Sequence, residues 1–159
     1  MTAPADKLKS RAELADECAA WRNKGETVAL VNGAFDMLHV GHLRYLADAR
    51  AHADHLVAAV NSDASVRASK GDTRPIVPEA ERVEILSHLW MVDRICLFDD
   101  QTVGPVLEAL KPDIHAKGTD YTVDTVPEAG VARELGIRVV ITGDTKSHST
   151  REIIRRVQQ

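Results

Sequence analysis

The chain has 159 residues, within the roughly 100–200 of a single domain and enough to bury one core. Apolar residues make up 44% and charged residues 28%, which excludes disordered, collagenous and low-complexity classes. With 20 Lys and Arg against 24 Asp and Glu, the net charge is −4, so no global attraction draws the chain to nucleic acid or to an anionic membrane. A local anion site remains open.

No run approaches the ~20 apolar residues that span a bilayer, and the first residues lack the apolar core of a signal peptide. Cys18 and Cys96 are the 2 cysteines, too few for a disulfide framework or a Cys-rich zinc site. Both are expected reduced, which fits a cytoplasmic protein. The 2 Trp, 2 Tyr and 2 Phe leave little for base-stacking platforms.

In chain order, Ser10 and Glu13 have the spacing of a capping box, and a helical pattern follows until Gly25 stops it. Thr27 to Asn32 is a short apolar, partly β-branched run that predicts a buried strand, with a helix from about Gly41 to His52. His55 to Val60 predicts a second strand. A polar loop containing Lys70, Gly71 and Asp72 then leads to a helix through Glu81–Leu86. Arg94–Leu97 predicts the third strand and Thr102–Leu110 a helix. Asp113–Ala116 predicts the fourth strand and Val126–Leu135 a helix. Ile137–Ile141 predicts the fifth strand, and Ser149–Val157 the last helix.

Strands alternating with helices imply one α/β domain over 1–159, with an N-terminal helix in 1–25 and a core over 27–159. The core is a Rossmann-like, doubly wound, five-stranded parallel sheet with helices on both faces. In such sheets ligands bind beyond the carboxyl ends of the strands, where the strand order reverses.

Beyond the first strand lies His39-Val40-Gly41-His42, at a predicted helix start. A helix N-terminus offers unpaired N–H groups and partial positive charge, which attract phosphate. Imidazoles three residues apart share a face, and Gly41 lets a phosphate approach the backbone. The competing readings are two ordinary helix histidines or a metal pair. Helical metal pairs more often use a four-residue spacing, and no third ligand is evident.

The stretch Asn32–His42 resembles the G-x-F-D-x-x-H-x-G-H signature of the cytidylyltransferase-like nucleotidyltransferase superfamily. Further similar segments follow in order: Asn61-Ser62-Asp63, Lys70-Gly71, Glu81–Leu86, Val92-Asp93, Lys117–Tyr121 and Ser149-Thr150. Within that superfamily the wording is most similar to the adenylyltransferase domain of the ADP-heptose synthases. No sugar kinase is attached here, so a stand-alone form is expected.

The resemblance implies transfer of a nucleotidyl group from a nucleoside triphosphate, ATP favoured, to D-glycero-D-manno-heptose 1-phosphate. Mg²⁺ would come with the nucleotide, with no metal site on the protein, and a homodimer or higher homo-oligomer is expected. His39, His42 and Lys70 are implied as catalytic. Asn32, Gly33, Ala34, Phe35, Gly41, Lys117, Gly118, Asp120, Ser149 and Thr150 join the two histidines in binding nucleotide. Asp36, Asn61, Asp63, Lys70 and Arg82 are implied to bind the sugar phosphate.

Each implied role has a plainer alternative. Asp36 could cap the next helix, Lys70 could be solvated, Arg82 could face solvent, the segment after strand four could be a turn, and Ser149 could be an N-cap. Arg151 stands where the family wording has a second Thr, and neither it nor His148 is assigned. His52, His55, His88 and His115 carry no motif and read as structural, and Trp21 and Trp90 as packing residues.

The rivals are a GTP-dependent enzyme, a CTP-dependent enzyme for glycerol 3-phosphate, a non-catalytic nucleotide sensor and a fragment of a class I tRNA synthetase. The stretch Asp144–Thr150 lacks the Arg that glycerol 3-phosphate enzymes carry there. The synthetase idea fails on length, charge and the absence of a K-M-S-K-S-like loop.

Overall fold

The computed structural model describes residues 3–144 and 149–159, with Arg151 described by its backbone alone. Helix α1 spans Arg11–Asn23 and starts at a complete capping box, Ser10 Oγ accepting from the Glu13 amide while Glu13 accepts from the Ser10 N–H at 2.8 Å. The remaining elements are β1 (Val28–Gly33), α2 (Val40–Ala51), β2 (His55–Asn61), α3 (Asp63–Lys70), α4 (Glu79–Ser87) and β3 (Arg94–Phe98). Then follow α5 (Gly104–Leu110), β4 (Ile114–Gly118), α6 (Ala129–Glu134), β5 (Arg138–Thr142) and α7 (Thr150–Val157).

The five strands form one parallel sheet in the order β3-β2-β1-β4-β5. The order reverses between β1 and β4, so the crevice expected from the alternation opens there. Burial follows the two-residue strand period. Val28 and Leu30 of β1, with Val57 and Ala59 of β2, join Leu14, Cys18 and Trp21 of α1 and Val106 and Leu110 of α5 on one face. Ala29 and Val31, with Leu56, Ala58 and Val60, join Leu46 of α2 and Val83 and Leu86 of α4 on the other.

Carboxylates set the strand starts. Asp93 accepts from the Leu56 amide and Asp113 from the Val28 amide, each at 2.8 Å, satisfying donors that the ladder leaves open. On the outer side of β3, the Ile95 N–H donates to the Lys7 carbonyl at 2.8 Å and the Lys9 N–H to the Ile95 carbonyl at 2.9 Å.

Three expectations change. The polar stretch before Gly71 is helical: Ser62 Oγ accepts from the Ser65 amide at 3.1 Å and starts α3, and Gly71 at φ 90° ends it, so Lys70 closes a helix. The helix expected over Val126–Leu135 is cut to Ala129–Glu134, preceded by a 3-10 turn over Val123–Thr125. Trp21 packs as expected, stacked on His55 at 3.9 Å between ring centroids, whereas Trp90 is 65% exposed. No helix among the described residues is long and apolar enough to cross a membrane.

Candidate active site

The backbone leaving β1 makes an unusual turn. Phe35 and Met37 both sit in the left-handed region, at φ 51° and 50°, on either side of Asp36. Such conformations cost a non-glycine residue of order 1 kcal/mol and persist only where the surroundings hold them. Here the Phe35 ring is buried and the Asp36 carboxylate is locked. Asp36 accepts from the Ile76 and Val77 amides at 2.9 Å each and from Arg74 Nε at 2.8 Å.

The turn delivers His39 as the cap residue of α2, in an extended conformation, with His42 in the first turn. His39 Nδ1 accepts from the Gly41 amide at 3.2 Å, and His42 Nδ1 accepts from the His39 amide at 3.3 Å. A ring whose Nδ1 accepts a backbone N–H carries its proton on Nε2 when neutral. The rings lie 4.0 Å apart between centroids, and both line a cavity of about 990 Å³. Two imidazole Nε2–H donors are thereby fixed in orientation at a helix N-terminus.

Gly41 and Tyr45 continue this wall along α2, and Ser69, Lys70 and Arg74 form a second wall. Gly118, Thr119, Asp120 and Tyr121 follow β4, and Thr142, Gly143 and Asp144 follow β5. Ser149 and Thr150 complete the lining at the start of α7. Ser149 Oγ accepts from the Glu152 amide at 3.1 Å, and Thr150 Oγ1 donates to the Asp36 carbonyl at 2.9 Å. Gly143, at φ 92°, donates its N–H to Asp48 at 2.8 Å; a Cβ there would come within 3.3 Å of Tyr45 Cα. A side chain at that position would close the approach of β5 to α2.

Of the expected site residues, His39, Gly41, His42, Lys70, Gly118, Asp120, Ser149 and Thr150 converge on the cavity. Asn32, Gly33, Ala34, Phe35, Asp36, Asn61, Asp63, Arg82 and Lys117 do not line it. For Arg82 the reason is explicit. Its side chain is fully buried, Nη1 donates to the carbonyls of Ala34 and Asn61, Nε donates to Val77 at 3.0 Å, and Nη2 pairs with Asp63 at 2.8 Å. Arg82, Asn61 and Asp63 thus tie the ends of β1 and β2 to the 71–78 segment beneath the cavity. With these ties made, Arg82 has no exposed surface on the cavity. Asp36, 2% exposed, is also held by buried ties and does not line the cavity.

Asn32 and Lys117 belong to a polar layer behind the cavity. Asn32 Oδ1 accepts from His115 Nε2 at 3.0 Å and from Lys117 Nζ at 3.3 Å. Burial holds His115 neutral by lowering its pKa to about 3. Burial also lowers the Lys117 pKa, against the opposing pull of Glu128, whose carboxylate lies 3.8 Å away. Tyr45, which the sequence did not single out, donates its hydroxyl to the Ala116 carbonyl at 2.8 Å, and burial raises its pKa.

Sequence reasoning also missed Ser69, Arg74, Thr142, Gly143 and Asp144 as lining residues. Arg74 had one signal, its place in the segment that begins at Lys70-Gly71. His148 and the stretch 145–147 lie outside the described residues, as does the Arg151 side chain. Among the described residues no three His, Cys, Asp or Glu side chains converge as a metal-binding group.

Fold and site together define a Rossmann-like α/β domain with a polar crevice at the switch in strand order. The chain belongs to the cytidylyltransferase-like family, whose model matches residues 30–156. It is 42% identical over 151 residues to the bifunctional protein HldE of Syntrophotalea carbinolica, covering 95% of this chain and 31% of that one. With the HldE protein of Methylobacillus flagellatus it shares 39% identity over 155 residues, covering 98% and 32%. The chain therefore spans about a third of the length of the curated relatives it matches. Among solved structures it is similar to the lipopolysaccharide core biosynthesis protein of Thermoplasma volcanium, with a TM-score of 0.65 and 28% identity over 77% of this chain and 100% of that one.

Proposed function

We propose that the protein is a nucleotidyltransferase that joins ATP to D-glycero-D-manno-heptose 1-phosphate, giving ADP-heptose and pyrophosphate for lipopolysaccharide or another surface glycan. The observation that carries this reading is the pair of backbone-locked imidazoles, His39 and His42, at the N-terminus of α2 and facing a polar cavity that Lys70 also lines. The resemblance to the adenylyltransferase domain of the ADP-heptose synthases supports the sugar, and the similarity to a lipopolysaccharide core biosynthesis protein supports the destination.

A phosphate oxygen of the sugar phosphate attacks the α-phosphorus in line. A new oxygen–phosphorus bond forms, the bond from the α-phosphorus to the bridging oxygen breaks, and pyrophosphate leaves with the electron pair. The nucleophile is already anionic, so no strong general base is required. Charge grows on the phosphoryl oxygens, and donors fixed in advance stabilise it without reorganising. The two Nε2–H groups and the Lys70 ammonium serve that role. Backbone N–H groups at the start of α7 would receive the departing phosphates, as helix N-termini favour anions. Mg²⁺ would come with the nucleoside triphosphate as part of the substrate and supply charge neutralisation on its phosphates.

The test is pyrophosphate release with Mg²⁺, crossing ATP, GTP and CTP with both heptose 1-phosphate anomers and glycerol 3-phosphate. Turnover with ATP and one anomer supports the reading and identifies the anomer. Turnover confined to CTP and glycerol 3-phosphate overturns it in favour of the cytidylyl rival. A folded protein that binds nucleotide and turns over no pair overturns the assigned acceptor.

A further inference from the structure

Arg74 has a role that none of the expected site residues covers. Its guanidinium meets Asp36 edge-on, Nε at 2.8 Å and Nη2 at 2.6 Å from the same carboxylate oxygen. The Asp36 side chain is 1% exposed and the Arg74 side chain 14%, and Arg74 lines the cavity next to Lys70. Nη1, on the edge away from Asp36, has no acceptor among the described residues. A planar guanidinium with one edge clamped and the other open suits a phosphoryl group, which accepts two parallel N–H bonds.

The clamp is unusually well anchored. Asp36 is also gripped by the amides of Ile76 and Val77, and its carbonyl accepts from Thr150 Oγ1 at 2.9 Å. One residue thereby fixes Arg74 on one wall and the start of α7 on another. The left-handed residues flanking Asp36 leave its backbone little freedom to move. Asp36 is served by the two amides and paired with Nε and Nη2 of Arg74, which leaves the outer edge of the guanidinium available at the cavity. That edge is the part of Arg74 that the pairing with Asp36 does not use.

We propose that Arg74 is a further phosphoryl-binding residue of this cavity, with Asp36 as the positioning residue that aims it. The inference rests on the reading that the cavity takes phosphorylated substrates. The phosphoryl group comes from the nucleotide or from the sugar phosphate, and the test separates the two.

Binding of three probes, inorganic pyrophosphate, the α,β-methylene analogue of ATP and heptose 1-phosphate, is measured by calorimetry on wild type and R74K, alongside the melting temperature. Lysine keeps a cation for Asp36 but loses the forked outer edge. The expected result is a melting temperature within a few degrees of wild type and at least a tenfold loss of affinity. Loss confined to pyrophosphate and the ATP analogue assigns the contact to the nucleotide. Loss confined to heptose 1-phosphate assigns it to the acceptor.

Should R74K not fold, the double variant D36N/R74M removes both charges together and is read the same way. Unchanged affinity for all three probes overturns the proposal, whether or not the melting temperature falls. Failure of the wild-type protein to bind any probe overturns it too. A wild-type protein that turns over no substrate pair, yet binds pyrophosphate in a manner that R74K loses, leaves Arg74 assigned and removes only the proposed reaction.

Discussion

Replacing Arg82 with methionine separates a structural tie from a substrate contact. Methionine fills similar apolar volume, but the carbonyls of Ala34, Asn61 and Val77 lose their donors in a site with no exposed surface at Arg82, and Asp63 loses its cation. A buried acceptor left without a partner costs about 1 kcal/mol or more, and breaking a buried ion pair adds to that. The expected loss is about 4 kcal/mol, a large share of a stability of roughly 5–15 kcal/mol. For a domain of this size that lowers the melting temperature by about 10 °C. Urea unfolding of R82M measures the loss. Steady-state kinetics at a temperature where the variant is folded measures the rest, and KM for the sugar phosphate should stay within about threefold of wild type. A stability loss below about 1 kcal/mol, combined with a tenfold rise in that KM, would refute the assignment and return Arg82 to the substrate.

Further expectations concern the cavity and its polar backing. His42→Ala should lower kcat by about 10²–10³ with the fold retained, since it removes a fixed donor to the transition state; near wild-type turnover would remove His42 from the chemistry. Lys70, exposed at the end of α3, should on replacement by alanine cost about 10- to 100-fold in kcat/KM, the worth of a charged hydrogen bond. His115 sets a pH dependence of stability. Its folded pKa of about 3 lies below the ordinary 6.5, so between these values the unfolded chain binds a proton that the folded one refuses. Stability from this group is complete above pH 6.5 and falls as pH drops towards 3, by about 1.4 kcal/mol per unit. His115→Gln should flatten that part of the profile, and an unchanged slope between wild type and variant would show that other groups carry it.

How much of this was readable in the sequence follows from the range of the interactions. The strands β1 and β2 announce themselves as apolar runs because both their faces are covered, and Ser10 with Glu13 announces α1 because a capping box is local. Helix α3 does not, since it has eight residues and rests on a single Ser62 cap and the neighbours it packs on. The placement of the two histidines at a helix start was legible because it lies within four residues. The partners of Arg74 and Arg82 were not, because they come from far along the chain, here Asp36 at a separation of 38 residues and Ala34 at 48. Tyr45 and Gly143 enter the cavity wall for the same reason, through the approach of α2 to β5.

The short pairing of Lys7 and Lys9 with Ile95 bears on how the chain behaves in concentrated solution. An outer strand with open N–H and C=O groups is a template onto which another chain can add, and hydrophobic residues beside it make such addition favourable. Here the segment around Leu8 occupies the Ile95 groups on the outer side of β3, held there by the buried Lys7, whose ammonium donates to the Leu89 carbonyl at 2.9 Å. A chain cut after Lys9 would keep every residue of the cavity while baring that rim. Self-association, rather than a loss of chemistry, is what such a cut would introduce.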